Sequence, residues 1–353
     1  MSGIFSIGYG SHSLFCCKKK GGRRMLHVGL LYTERKADAE RDKLDPHGAI
    51  QISNTVRDIK TSLIEKGYRV TLIQATQSLL DDIEAIEDLD VIFNSCTGIK
   101  RRSEQANIVA MLELQDIPFV GSGLSTQVLG LHKAISKRIW RARNIPTPKF
   151  QVFATGKEKI HENLSYPLMV KPEREGSSLG IDHDSVVYND QQLYKKVKQV
   201  IKTFKQPALV EEYLVGREFT VGVIGNDELE VLPIIEIKYG DSDTGIMTVD
   251  IKAEDSLGQD LPAKLDKEVL EKIENDCKKA YTSLDCQDFA RIDVRMDKDD
   301  NPQLIEINTL PGMQRNYSDF PKMAKAQGYE YEDLIEKLIL LAIERNKKEE
   351  SHD

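Results

Sequence analysis

"FARIDVRMDKDDNPQLIEINTLPG", residues 289–312, reads as two strands around a turn. Side chains alternate along a strand, so Arg291, Asp293 and Arg295 share one face while Ile292, Val294 and Met296 face a core. By the same rule Glu306 and Asn308 share a face, with Ile305 and Ile307 on the other. The polar segment 297–302 is a turn, so the strands pair as a hairpin and bring Asp293, Glu306 and Asn308 onto one surface. Three oxygen donors suit a hard cation such as Mg²⁺, which binds few protein groups and keeps room for water and phosphate oxygens. Arg291 beside them is placed to meet a second anion or a developing negative charge. The plainer alternative is a solvated hairpin face on which Asp293 pairs with Arg291 or Arg295. The "NTLPG" that follows weighs against it, because an ordinary hairpin needs neither an amide donor nor a glycine turn directly after its acidic residue.

Outward from this hairpin the chain divides into two patterns. Residues 25–121 alternate strand and helix. "HVGLLY" (27–32), "YRVTLI" (68–73), "DVIFNS" (90–95) and "IPFVGSG" (117–123) are short apolar strands. Between them, residues 49–67 space Ile52, Val56, Ile59, Leu63 and Ile64 near a 3.6-residue period, and Gly67 marks the helix end. Residues 77–87 and 104–116 are further helices, and the alternation predicts a parallel sheet. Helical character runs on through 125–144 until Ile145-Pro146-Thr147-Pro148 breaks it. Strands joined by short turns follow: "KFQVF", "PLMVKP", "ALVEEYL", "REFTVGVIG" and "LEVLPIIEIKY", with one clear helix at 190–204. Helix 266–284, the hairpin, and a last helix from about 331 to 346 complete a mostly antiparallel α+β region.

Among those turns, "VKPEREGSSLGID" (170–182) places Lys171 at the mouth of a glycine-serine loop. Such loops cradle phosphates, because glycine permits unusual dihedrals and close approach of backbone N–H groups. The spacing is neither a Walker A nor a Rossmann fingerprint, and a flexible hairpin tip is the competing reading. In "ALVEEYLVGREFTV", Glu211 to Leu214 are a strand leading to a glycine turn, with Glu218 and Thr220 on one face of the next. Strand-edge acceptors suit an adenine amino group and a carboxylate suits ribose hydroxyls, although a plain hairpin explains the same pattern.

Composition excludes several classes. The chain has 353 residues, 40% hydrophobic and 30% charged, enough for two or three domains. No apolar run nears the roughly 20 residues that span a bilayer. The formal charge of −8 argues against nucleic acid as a partner. Five cysteines, Cys16, Cys17, Cys96, Cys277 and Cys286, lack metal-ligand spacing and fit a reducing, cytoplasmic setting with small buried thiols. Residues 1–24 hold five basic residues and no acidic one, unlike the rest. We read them as a disordered leader or an upstream start, with Met25 as the true beginning. Acylation of the paired cysteines is the alternative.

In order and wording, "PFVGSG" with Lys133 downstream, "PLMVKPEREGSSLGI", "VEEYLVGREFTVGVIGN", "EIKYG", "FARIDVRM" and "EINTLPGM" resemble the D-alanine–D-alanine ligase family of the ATP-grasp superfamily. The resemblance covers about residues 117–345. It implies an ATP-grasp fold, α/β and α+β, behind an N-terminal parallel-sheet (pre-ATP-grasp) domain. The expected division is leader 1–24, N-terminal domain 25–121, central subdomain 122–215, C-terminal domain 216–347 and tail 348–353. It further implies that Lys133 and Lys171 contact ATP phosphates and that the loop at Glu175, Gly176, Ser177 and Ser178 closes over them. Glu211, Glu212, Tyr213 and Leu214 would read adenine and Glu218 ribose. Lys238 and Tyr239 match a Lys-Tyr pair on a mobile loop. Asp293, Glu306 and Asn308 match ligands of Mg²⁺ (or Mn²⁺), two ions in all. Arg291 and the Gly312 amide match groups that hold the reacting carboxyl oxygens. The implied reaction joins a carboxylate to an amine through an acyl phosphate, with small amino-acid-like substrates, and a homodimer is implied as well.

The departures fall in the amino-acid subsites. Where the family has a glycine-glycine turn and a Ser-x-Glu segment, this chain has "LLYTERKADAERDK", leaving Glu34 or Glu40 as substitutes. A His-Gly motif is replaced by "NSCTGIKRRSEQ", which brings Lys100, Arg101 and Arg102 to the substrate end. After "LPGM" a Thr-Ser-x-Ser becomes "QRNYSD", with Ser318 as the nearest equivalent. Substrates other than two D-alanines, more acidic ones among them, are therefore expected alongside D-alanine itself. An ATP-binding regulator without ligase activity, and a carboxylate kinase that stops at the phosphorylated product, remain the alternatives.

Overall fold

The computed structural model describes residues 24–34, 48–99, 104–239, 245–246 and 257–351. Residues 1–23, Glu40 and Lys100 to Arg102 lie outside the described residues.

The first sheet holds β1 (His27–Tyr32), β2 (Arg69–Gln74), β3 (Val91–Asn94) and β4 (Phe119–Val120), in the order β2-β1-β3-β4 and wholly parallel. Its crossovers carry α1 (Gly48–Glu65), α2 (Leu79–Glu84) and α3 (Gln105–Leu112). β1 is buried along nearly its whole length, as a strand covered on both faces must be. Gly67, at φ +83°, ends the first crossover helix as its position predicts, with the Tyr68 N–H returning to the Leu63 carbonyl at 2.9 Å.

Two helices follow, α4 (Leu124–Leu131) and α5 (Lys133–Ala142), where the sequence pattern reads as one. The break has a tertiary cause. Glu173 accepts the Ala134 N–H through its carboxylate at 3.2 Å, while its carbonyl takes the Lys133 N–H at 3.4 Å. A carboxylate at a fresh helix N-terminus is favoured by the helix dipole and replaces missing i−4 partners. The break leaves Lys133 at the head of α5.

The middle sheet contains β5 (Phe150–Phe153), β6 (Leu168–Pro172), β7 (Val186–Val187) and, beyond α6 (Asp190–Phe204), β8 (Ala208–Glu212), ordered β5-β8-β6-β7 and antiparallel. Asn189 caps α6 by accepting the Gln192 N–H at 3.0 Å. β8 stops at Glu212, so Tyr213 and Leu214, expected inside the strand, lie just past its end.

The largest sheet has β9 (Glu218–Ile224), β10 (Glu230–Val231), β11 (Ile235–Lys238), β12 (Gly258–Asp260), β13 (Phe289–Met296) and β14 (Pro302–Asn308). The order is β12-β11-β9-β13-β14, with β10 on β9. "LEVLPIIEIKY" is two strands rather than one, since Pro233 cannot donate to a ladder. α7 (Lys267–Ser283) covers one face together with Trp140 of α5, around Val221, Ile292 and Val294. α8 (Asp319–Gln327), which the sequence reading did not anticipate, leads into α9 (Tyr331–Glu350).

The last helix ties the molecule together. Leu334, Ile335, Leu338 and Ile339 are fully buried in one cluster with Val28 and Phe93 of the first sheet and Phe289 of the largest. Each such side chain contributes roughly 1.5–3 kcal/mol on burial. Beside them buried Asp288 accepts the Gly121 N–H at 2.8 Å and pairs with Arg345 at 3.2 Å. The first and largest sheets are thus joined by both apolar and charged contacts. Cys96, Cys277 and Cys286 are free and buried, as expected, and no described helix is long and apolar enough to cross a membrane.

Candidate active site

A cavity of about 330 Å³ lies between the middle and largest sheets, with α1 and the end of β3 closing one side. Of the residues singled out in the sequence, Lys171, Ser177, Ser178, Glu211, Glu212, Tyr213, Leu214, Glu218, Arg291, Asp293, Glu306, Asn308, Gly312 and Ser318 all line it. An adjoining cavity of about 70 Å³ adds Lys133, Glu175 and Gly176, and shares Ser177, Glu306 and Asn308. Lys238, Tyr239 and Glu34 fall outside both linings. Glu34 is exposed and accepts from Gln74 at 3.0 Å. Lys238 turns to Glu236 at 2.6 Å and Asp260 at 3.3 Å.

The hairpin face is as the alternation predicts. Asp293 stands opposite Glu306 and Arg291 opposite Asn308. One detail differs: the register slips after Asp293, so Val294 pairs with Leu304 and Ile305 is left unpaired. This bulge turns Ile305, expected in the core, into the cavity lining beside Glu306. Arg291 grips Asp293 bidentately, at 3.2 and 3.1 Å, which satisfies the pairing alternative without removing either group from the cavity. Thr220 donates to the same carboxylate at 2.8 Å and the Asn308 amide at 3.1 Å. Burial disfavours the charged Arg291 guanidinium, but Asp293 and then Asp319 outweigh it and hold its pKa above the ordinary value. Among the described residues no three His, Cys, Asp or Glu side chains cluster as a metal site. The donor set is instead two carboxylates and an amide on adjacent strands, all hard oxygen donors facing one cavity, which fits magnesium. Rotation of the Asn308 amide by half a turn would present its oxygen rather than its nitrogen.

Behind this face sits a buried charge cluster. Glu211 lies between two lysines, Lys171 at 2.6 Å and Lys137 at 2.9 Å. Burial raises the Glu211 carboxyl, yet Lys137 and Lys171 together bring it below its usual value. Lys171 is raised, because Glu211 and Glu306 overcome its burial. Lys137, fully enclosed, is lowered by burial to about 8 despite Glu211. Lys133, at the head of α5, reaches Glu306 at 3.4 Å and donates to the Glu175 carbonyl.

The loop above the cavity carries its conformational demands on serine as well as glycine. Ser177 and Ser178 adopt φ +54° and +59°, and Gly180 +81°. At Gly180 a Cβ would stand 2.6 Å from Pro172 and 2.7 Å from Phe204, so only glycine fits. Two successive serines in the left-handed region are costly, and such strain persists mainly where a loop has a task.

Sequence reading passed over four contributors. Lys137 follows Lys133 by one helical turn and was legible from that i,i+4 spacing. Glu173 carries the helix break. Arg295, read only as a possible partner of Asp293, instead pairs with Glu218 at 3.1 Å. Gln51 of α1 donates to the Tyr317 hydroxyl at 2.9 Å, closing the far end of the cavity, and no local pattern announced it.

Two antiparallel sheets clasping a cavity lined by lysines, a carboxylate pair and a strained serine loop form an ATP-grasp architecture. The D-ala D-ala ligase C-terminus family matches residues 139–340. A D-alanine–D-alanine ligase of Carboxydothermus hydrogenoformans is 34% identical over 297 residues, covering 81% of this chain and 92% of the relative. An uncharacterized protein of Sinorhizobium fredii is 31% identical, covering 81% and 87%. The crystal structure of a D-alanine–D-alanine ligase from Bacillus anthracis complexed with ATP superposes with a TM-score of 0.73 at 25% identity, covering 92% of this chain and 99% of that one. The chain belongs to the D-alanine–D-alanine ligase family, ATP-grasp enzymes that form carbon–nitrogen bonds.

Proposed function

We propose that this cavity binds ATP and magnesium and joins the carboxylate of one small amino acid to the amine of a second. The observation that carries this reading is the convergence of Asp293, Glu306, Asn308, Arg291 and Lys171 on one cavity wall. A protein that only bound nucleotide, or only phosphorylated a carboxylate, has less use for an arginine held beside the metal donors.

Lys133 and Lys171 meet phosphate oxygens, and the loop 175–180 folds over them through its N–H groups. Glu211, Glu212, Tyr213 and Leu214 face the adenine, and Glu218 the ribose. Asp293, Glu306 and Asn308 would hold the magnesium ions, two by resemblance. A magnesium ion held there would supply charge compensation for the phosphoryl oxygens. A free carboxylate is a poor electrophile, and phosphorylation supplies a leaving group. Arg291, fixed by Asp293, and the Gly312 N–H then face the oxygen on which negative charge grows when the amine attacks. Tyr239 is anchored to Glu218, and Lys238 pairs with Glu236 and Asp260 outside the cavity lining. Closure of the serine loop excludes water that would hydrolyse the activated carboxyl group.

D-alanine is the first candidate for both substrates, because the relatives are named for it. The altered segments at residues 30–43, 94–105 and 314–319 make other small amino acids the next. Three buried free thiols support a cytoplasmic setting. The test is phosphate release from ATP with Mg²⁺, screened against pairs of D- and L-amino acids with product masses recorded. Release that needs two substrates and yields their condensation mass is the expected result. Release with one substrate and a stable phosphorylated product would show a kinase, and no release with any pair a binder.

A further inference from the structure

Arg295 has the most elaborate set of contacts in the cavity. It sits opposite Glu218 across β13 and β9, with its side chain only 10% exposed. Its guanidinium lies over the rings of Tyr213 and Tyr239, at 4.9 and 5.6 Å. Nε donates to the Gly216 carbonyl at 3.2 Å, Nη1 to Glu218 Oε2 at 3.1 Å and to the Gly245 carbonyl at 2.8 Å, and Nη2 to the Tyr213 hydroxyl at 3.1 Å. The Tyr239 hydroxyl donates to the same Glu218 Oε2 at 2.8 Å. Both contacts therefore fall on one carboxylate oxygen, and among the described residues Oε1 takes no hydrogen bond. Burial pushes the Glu218 carboxyl up, and Arg295 is the leading influence that opposes it.

We propose that Arg295 is a positioning residue for nucleotide selection: by pinning Glu218 through Oε2 it presents Oε1 as an acceptor in one fixed orientation and sets the preference for ribonucleotide over deoxynucleotide. The proposal rests on the reading that Glu218 faces the ribose. Rotation about the end of a glutamate is soft, so an unpinned carboxylate would spread over several orientations. An acceptor that is one half of an ion pair, as Glu218 is with Arg295 at 3.1 Å, also discriminates more strongly than an uncharged one, because hydrogen bonds to charged groups are the stronger kind. The rings of Tyr213 and Tyr239 hold the planar guanidinium by cation–π contact, and a lysine could not present the same fork of donors there.

Calorimetric binding of ATP, 2′-deoxy-ATP and 3′-deoxy-ATP with Mg²⁺ tests this without relying on turnover. In the wild type, ATP should bind about tenfold more tightly than at least one deoxy analogue, the worth of one charge-assisted hydrogen bond. Arg295→Met should shrink that ratio to about twofold while changing the affinity for that analogue little. Arg295→Lys, which keeps the charge but not the fork, should fall between, and it carries the test if the methionine variant does not fold. Equal losses for all three nucleotides, with the ratio preserved, would overturn the proposal and leave Arg295 a merely structural residue. No discrimination in the wild type would overturn it too. Failure of the wild type to bind any nucleotide would instead sink the underlying function. If Glu218→Gln collapses the ratio and neither Arg295 variant does, the ribose reading stands and only the role of Arg295 falls.

Discussion

The two ends of the cavity are built differently. The end assigned to nucleotide and metal is made from strands, and its side chains are locked in pairs: Lys171 and Lys137 on Glu211, Arg291 on Asp293, Arg295 on Glu218. The opposite end is made from the first two turns of α1, the end of β3 and loop segments. Its described lining includes Gln51, Thr55, Asn94, Ser95, Tyr317 and Ser318, all uncharged, with Asp319 beside them. A triphosphate is the same in every turnover, so rigid and desolvated charge can be fixed in advance for it. A subsite built on loops can change without disturbing a sheet, and two of the three altered segments, 94–105 and 314–319, contribute to this lining.

The sharpest break of this contrast is Glu306→Gln. The substitution keeps size and most packing but removes one carboxylate of the proposed metal site, and turnover should fall by about 10³-fold or more, on the scale of losing a group that meets transition-state charge. Thermal stability should change little, since Glu306 is partly exposed and its ion pair with Lys133 at 3.4 Å is loose. Steady-state phosphate release and a melting curve check both halves. Undiminished turnover would remove Glu306 from the metal site.

Next in size is Glu211→Gln, which leaves two buried ammonium groups facing one neutral amide. Breaking a buried pair in this way costs about 3–5 kcal/mol, to be read from urea denaturation. Adding Lys137→Met should recover part of that loss, because the second charge no longer needs a partner. A purely additive double variant would mean that the three groups do not act as a cluster.

Lys137 also predicts a pH dependence. Its folded value, lowered by burial to about 8, lies beneath the unfolded lysine value of about 10.4. Between these the unfolded chain holds the proton and the folded chain does not, so folding gains from rising pH through that window. Lys171 has the opposite sign: raised in the folded state, its contribution is complete below the unfolded value and is lost only above it. The windows do not overlap. Between pH 8 and 10, wild type should gain on Lys137→Met by up to about 1.4 kcal/mol per pH unit in urea titrations. A flat difference would mean that Lys137 stays charged.

What was legible in the sequence follows the same division. Period-2 alternation placed Arg291, Asp293, Glu306 and Asn308 on one face because paired strands obey it wherever the ladder is regular. It misassigned Ile305, because a bulge is an insertion that alternation does not register. The break between α4 and α5 was hidden, since its cause, Glu173, is distant in sequence. The pairing of Gln51 with Tyr317 spans 266 positions and leaves no local trace. Local rules read groups that one element presents; groups that two distant elements assemble need the tertiary structure.

That last pair gives the smallest predicted effect and the test of the other end. Tyr317→Phe removes the acceptor for the Gln51 amide but leaves the ring, and the amide is near enough to the cavity to find water. Stability should fall by about 1 kcal/mol or less, and nucleotide affinity should not move. The Michaelis constant for an amino-acid substrate should change only several-fold, because an uncharged hydrogen bond at a solvated wall is worth about 0.5–1.5 kcal/mol. Gln51→Leu should produce the same small shift, and the double variant should be no worse than either alone, as expected of two halves of one contact. A loss of turnover near that of Glu306→Gln would place Tyr317 among the reacting groups, and the distinction between a rigid nucleotide end and an adaptable amino-acid end would fail.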